Sequence, residues 1–134
     1  MKVLIVDDEP GVRDLLSAAI EIVGYEQVDL AEDGEKALAL TLTNRYDLVT
    51  LDIRMPGISG LETLPMIRHA MPRAVIAIIS AYIADAVDID ISDADLVIQK
   101  PFRLEMIQEL AQNVKELAKT QTAIRGLSDA EMRA

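Results

Sequence analysis

With 134 residues, 51% of them hydrophobic, the chain is long enough for one domain with a sizeable core and too apolar to be disordered. A net charge of −10 argues against nucleic-acid binding by this chain, which would need a basic patch, and is compatible with a divalent cation partner. The absence of Cys excludes a disulfide framework, a thiolate zinc site and a thiol nucleophile; with no run near the ~18 apolar residues of a membrane helix and no signal-peptide n-region, a cytoplasmic protein free of the membrane is expected.

Aromatic residues make up only 3%, so the core must be aliphatic. Lys2–Val6 reads as the first strand, its apolar run Val3–Val6 ending in Asp7-Asp8. Asp8 is placed to cap the following helix, with Pro10 in its first turn. Val12, Leu15, Leu16, Ala19, Ile20 and Val23 give that helix one apolar face, and Gly24 stops it. The alternation in Glu26–Ala31 predicts a half-exposed edge strand. Asp33-Gly34 opens a second helix to about Thr43, with Ala37, Leu38 and Leu42 turned inward. Asp47–Asp52 is the third strand, and Pro56, Gly57 and Gly60 turn the chain after it. A third helix follows from about Ser59 to Ala70, with Pro65 expected to kink it. Ala74–Ser80 is the fourth strand and Leu96–Gln99 the fifth; a long helix begins near Arg103 and is expected to end at Gly126 and Ser128. Strands alternating with helices in this way imply a parallel sheet covered on both faces.

Four of the apolar runs deliver a polar group at the same end: Asp7-Asp8, Asp52, Ser80 and Lys100-Pro101. In a parallel sheet these meet on one rim, where open α/β sheets bind their ligands. A carboxylate there is expected to stay wet and reachable. Three carboxylates in one place repel each other unless a cation neutralises them or one keeps its proton. Oxygen donors suit Mg²⁺ or Ca²⁺, and Mg²⁺ keeps positions for phosphate oxygens. Lys100 adds a cation and Ser80 a hydroxyl, a set suited to a phosphoryl group in transfer. A carboxylate can itself be the nucleophile and become an acyl phosphate, and Asp52 is central for that role.

Asp7-Asp8, Asp52 within Asp-Ile-Arg-Met-Pro-Gly, Ser80-Ala81 and Lys100-Pro101-Phe102 together resemble the receiver domain of bacterial two-component response regulators. The resemblance spans residues 1–118 and leaves 119–134 as a C-terminal helical extension or linker. It implies an α/β flavodoxin-like fold with a five-stranded parallel sheet of order 2-1-3-4-5. Asp52 would accept a phosphoryl group from a sensor histidine kinase or phosphotransfer protein. Asp7, Asp8, Asp52 and the backbone carbonyl of Arg54 would organise Mg²⁺. Ser80 and Lys100 would sense the phosphoryl group, Ala81 would leave room for it, and the Lys100–Pro101 bond would be cis. The implied protein is a phosphoacceptor that assists its own phosphorylation and dephosphorylation, not a multiple-turnover enzyme.

Three features depart from the family pattern. Val97 stands where an aromatic is usual, the Ser80–Lys100 segment is short, and Pro65 lies inside the third helix. Two other classes compete. A haloacid-dehalogenase-type phosphatase would need an acid two residues after its nucleophile, where this chain has Arg54. A flavin-binding flavodoxin would need a Ser/Thr-rich loop after the first strand. A single-domain relay or binding module without its own output also fits, as does the front of a longer regulator. His69, the one histidine, has no evident partner and no phosphotransfer role. Ile107, Leu110, Val114, Leu117 and Ile124 keep a heptad spacing that favours a homodimer. Val87, Ile89 and Ile91 alternate with Asp88, Asp90 and Ser92, so the connection between the last two strands is expected to be a short, irregular or partly extended helix that reorders on phosphorylation, with Tyr82 standing in for the absent ring.

Overall fold

The computed structural model describes residues 1–82 and 90–133, with side chains described up to Leu127. The elements in chain order are β1 (Lys2–Val6), α1 (Pro10–Val23), β2 (Gln27–Ala31), α2 (Gly34–Thr41), β3 (Leu48–Leu51), α3 (Gly60–Ala70), β4 (Val75–Ser80), β5 (Leu96–Gln99) and α4 (Leu104–Arg133). The five strands form one sheet of order β2-β1-β3-β4-β5, with every neighbouring pair parallel. This is the flavodoxin-like arrangement.

Because strand side chains alternate between faces, each buried strand feeds two cores. Leu4, Val6, Val49, Leu51, Ile76 and Ile78 join Ala37, Leu64 and Ile67 under α2 and α3. Val3, Ile5, Leu48, Ala77 and Ile79 join Leu16, Ile20 and Ile107 under α1 and α4. Both cores are aliphatic apart from two tyrosines, Tyr46 in the first and Tyr25 in the second. The Tyr25 hydroxyl donates to the Ala111 carbonyl at 2.9 Å, and burial pushes its ionisation up.

Local chemistry sets the element ends. Gly24 closes α1 with φ of 101°, a left-handed value that suits glycine. Asp33 caps α2 by accepting from the Lys36 amide, and Ser59 caps α3 by accepting from the Glu62 amide. At α1 the residue in the cap position is Glu9, not Asp8, and its side chain makes no cap bond; Pro10 opens the helix. The Asp7 carboxylate turns forward instead and accepts the Glu9 amide at 2.9 Å. Helix α3 is continuous through Pro65 from Gly60 to Ala70.

Two residues expected inside lie outside: Leu15 is 45% exposed and Leu42 is 84% exposed. Helix α2 ends at Thr41, so Leu42 falls at the C-cap, beyond the buried stripe. Helix α4 runs through Gly126 and Ser128 to Arg133, which corrects the expected stop. An isolated glycine costs a helix only about 1 kcal/mol relative to Ala, too little to end it here. Of the connection between β4 and β5, residues 83–89 lie outside the described residues, and with them most of the segment expected to reorder. On its far side Asp95 is tied down. Its amide donates to the Ile76 carbonyl at 2.8 Å, and its carboxylate accepts the Ile76 amide and an Arg68 guanidinium nitrogen, both at 2.8 Å.

Candidate functional site

The carboxyl ends of β1, β3 and β4, with the residue following β5, build a polar rim. The backbone ladder fixes it one residue beyond the strands. The amides of Asp7, Asp52 and Lys100 donate at 3.0 Å to the carbonyls of Ala31, Val6 and Ser80 respectively. Asp7, Asp52 and Lys100 therefore start from a hydrogen-bonded backbone, and their positions are set by strand register.

Asp7, Asp8, Glu9 and Asp52 each present a carboxylate oxygen, and these oxygens lie within 4.8 Å of one another. Asp7 and Asp52 are buried, at 1% and 4% exposure, whereas Asp8 and Glu9 are exposed. The expectation that Asp52 stays wet is therefore corrected. Lys100 closes over it: Nζ donates to Asp7 Oδ2 at 2.8 Å and to Asp52 Oδ2 at 3.2 Å. The same nitrogen stands 3.9 Å from Glu9 Oε1. One ammonium thus bridges two buried acids, which meets the requirement that buried charges be paired. Asp52 Oδ1 accepts the Ile53 amide at 2.8 Å.

Burial, followed by repulsion from Asp7, holds the Asp52 carboxyl above the ordinary carboxylate range; Lys100 and a hydrogen bond from Ser80 oppose the rise without cancelling it. For Lys100 burial alone would lower the ammonium, but Asp7 and Asp52 outweigh it and the net direction is up. The two directions agree physically. The amine shares its charge between two acids, so Asp52 gains only part of it.

Ser80 is fully buried at the end of β4, and its hydroxyl oxygen accepts the Tyr82 amide at 3.2 Å. Ala81 is exposed between them. Arg54, two residues beyond Asp52, stacks its guanidinium 3.9 Å from the Tyr82 ring centroid, joining the loop after β3 to the end of β4. Asp8, Arg54 and Met55 are among the residues lining an open cavity of about 390 Å³ at this rim. The Lys100–Pro101 peptide is cis. Val97 is 37% exposed, and His69 is exposed on α3, away from the rim.

Sequence reasoning missed Glu9 as a fourth acid of the cluster. Its signal was present in the run Asp7-Asp8-Glu9, but its approach to Lys100 depends on the fold. It also missed Gly60, where an added Cβ would overlap the Asp52 carbonyl oxygen. Gly60 donates its amide to the Ile53 carbonyl at 2.7 Å, so the first residue of α3 lies directly against the backbone of Asp52. The donor set is all oxygen and predominantly anionic, which fits a hard divalent cation such as Mg²⁺.

The model of the response regulator receiver domain matches residues 3–112. Response regulator MprA of Mycobacterium sp. (strain KMS) is 37% identical over 109 residues, covering 78% of this chain and 46% of that protein. Sensory transduction protein LytR of Staphylococcus haemolyticus is 39% identical over 116 residues, covering 86% of this chain and 45% of that protein. The chain thus spans about half the length of these curated relatives. Among solved structures, response regulator TrrA of Thermotoga maritima, in complex with Mg²⁺–BeF, superposes with a TM-score of 0.76 at 40% identity, covering 84% of this chain and 97% of that one. The oxygen-lined rim, the sheet order and these matches together place the chain in the response regulator receiver family, a family of signalling modules.

Proposed function

We propose that Asp52 is the phosphoacceptor of this receiver and that the observation carrying this role is its pairing with Lys100 inside the four-acid cluster. An Asp52 carboxylate oxygen attacks phosphorus; the new O–P bond forms as the bond to the donor breaks, and the donor leaves with its electron pair. The donor is a phosphohistidine on a sensor kinase or phosphotransfer protein. Asp7, Asp8, Asp52 and the Arg54 carbonyl would hold Mg²⁺, with Glu9 in the same acidic cluster. Bound there, the cation supplies positive charge to the transferring oxygens. Lys100 provides a second positive charge, and moves from Asp52 to the phosphoryl oxygens as the Asp52 charge is transferred. Ser80 donates its hydroxyl to the same oxygens, and Ala81 leaves them room.

The phosphatase reading is not favoured. Its general acid would sit two residues past the nucleophile, and that residue is Arg54, stacked on Tyr82. The protein is a switch and not a multiple-turnover enzyme. We assign residues 1–118 to the receiver and 119–134 to a C-terminal extension, into which α4 continues as far as Arg133. Ile124 and Leu127 are 60% and 70% exposed along it, which supports its use in a homodimer. The net charge of −10 supports a partner other than nucleic acid. No helix among the described residues is long and apolar enough to cross a membrane; membership of the receiver family supports a cytoplasmic location.

The test is incubation with acetyl phosphate and Mg²⁺ followed by intact mass. One labile phosphoryl addition per chain supports the proposal. Multiple-turnover hydrolysis of unrelated phosphate esters would support the phosphatase instead.

A further inference from the structure

At the other end of the sheet lies a cleft of about 540 Å³, a volume within the roughly 300–1,000 Å³ range of small-molecule sites. Its walls come from three places. Arg45 and Tyr46 belong to the loop entering β3, Met71 and Arg73 to the loop entering β4, and Val114, Leu117 and Arg125 to α4. The cleft exists because α4 overruns the sheet. Val114 packs on the core, Leu117 is half exposed, and Gln121 and Arg125 of the next turns line the cleft opposite the two loops.

Its electrostatics run against the rest of the molecule. The chain carries 13 Lys and Arg against 23 Asp and Glu, yet three arginines from three separate segments line this one cleft. All three are exposed, and none forms an ion pair among the described residues. The one acid among the lining residues, Asp47, has its Oδ2 committed to the Lys2 amide at 2.8 Å. The floor is apolar: Met71 and Val114 are 6% and 5% exposed. Unpaired guanidinium groups in an acidic protein are free to receive an oxyanion, and their planar forks match carboxylate and phosphate groups.

We propose that this cleft is a binding site for a small organic oxyanion: a phosphate or carboxylate group, held by Arg45, Arg73 and Arg125, on an apolar body that rests on Met71, Val114 and Leu117. The site is independent of the phosphoacceptor reading, because β3 separates the two. Asp47 precedes the strand at the cleft, and Asp52 follows it at the rim. It gives the receiver a second input, since its ligand would bridge α4 to the loops that begin β3 and β4.

Binding of phenyl phosphate, phthalate and inorganic sulfate is measured by isothermal titration and amide NMR. The samples contain EDTA, so that no Mg²⁺ can recruit the probes to Asp52, and the Asp52→Asn variant serves as a second background. Saturable binding is expected for phenyl phosphate or phthalate, stronger than for sulfate, with shifts at residues 45–47, 71–75 and 114–125 and equal strength in Asp52→Asn. The preferred probe tells whether the group is a phosphate or a carboxylate. Each single change Arg45→Gln, Arg73→Gln or Arg125→Gln weakens binding about threefold, and the three together about thirtyfold. Gln121→Glu, which adds a negative charge to the wall four residues before Arg125, weakens it by repelling the ligand and competing for that guanidinium. The proposal is overturned if no probe binds saturably below about 10 mM, or if the triple variant and Gln121→Glu both bind within about twofold of the unaltered chain.

Discussion

Lys100 Nζ donates to Asp52 Oδ2 at 3.2 Å while holding Asp7 Oδ2 at 2.8 Å, so one side chain neutralises two buried carboxylates contributed by β1 and β3. Removing it leaves both acids buried without a counter-charge. Lys100→Ala is therefore expected to lower metal-free stability by about 2–3 kcal/mol in urea unfolding. Mg²⁺ is expected to recover part of the loss, because it supplies the missing charge. The sign with pH follows from the raised Lys100 ammonium. Its contribution is complete below the ordinary value of 10.5 and is lost only as pH climbs through the raised value. Equal stability of the variant and the original at neutral pH, with and without Mg²⁺, would contradict this account.

The Asp52 carboxyl is displaced the other way for an acid, above its ordinary 3.8, by burial and then by Asp7. The folded chain therefore holds that proton more tightly than the unfolded chain does. Stability falls as pH rises from the ordinary value through the raised one, and the cost persists above it. Asp52→Asn removes the cost. The variant is expected to melt higher than the original at neutral pH in EDTA, with the difference closing below the ordinary 3.8. A variant that melts lower at neutral pH would refute the electrostatic account.

Gly60 and Gly126 make an informative pair. A Cβ at Gly60 overlaps the Asp52 carbonyl oxygen, whereas one at Gly126 meets nothing within 4 Å. Gly60→Ala is expected to cost about 1–3 kcal/mol through overpacking and to slow phosphoryl labelling as Asp52 is displaced. Gly126→Ala is expected to gain about 0.5–1 kcal/mol of helix stability. Thermal melts of the two variants and labelling of the first check both signs; a neutral Gly60→Ala would mean the loop before α3 is slack.

Four strands were legible because each is a short apolar run bounded by turn residues, the edge strand β2 because it alternates, and the rim because the four apolar runs end in polar groups. The sheet order came from the resemblance; alternation alone gave a parallel sheet with two covered faces. What stayed hidden depended on partners far along the chain. The burial of Asp52 is made by Lys100, 48 residues away. Arg68 donates to the Ala74 carbonyl at 2.7 Å and to the Asp93 carbonyl at 3.0 Å, bonds that no local pattern announces. Leu42 obeyed the helical spacing, but α2 stopped one residue before it. Gly126 obeyed the rule for helix ends, yet the helix tolerated it.

The exposed apolar positions on α4 predict self-association. Ile124 and Leu127 are 60% and 70% exposed on a helix that continues to Arg133. Sedimentation is expected to show a concentration-dependent dimer that Ile124→Lys abolishes. A monomer at every concentration, with and without a phosphoryl mimic, would remove the dimer from the account.

Labelling at Asp52 tests the central claim most directly. The original chain and Asp52→Asn are incubated with acetyl phosphate and Mg²⁺, and the products are read by intact mass before and after mild base. The account predicts one base-labile phosphoryl group on the original chain, none when Mg²⁺ is chelated, and none on Asp52→Asn. Labelling of Asp52→Asn to the level of the original would place the phosphoryl group on another residue and contradict the account.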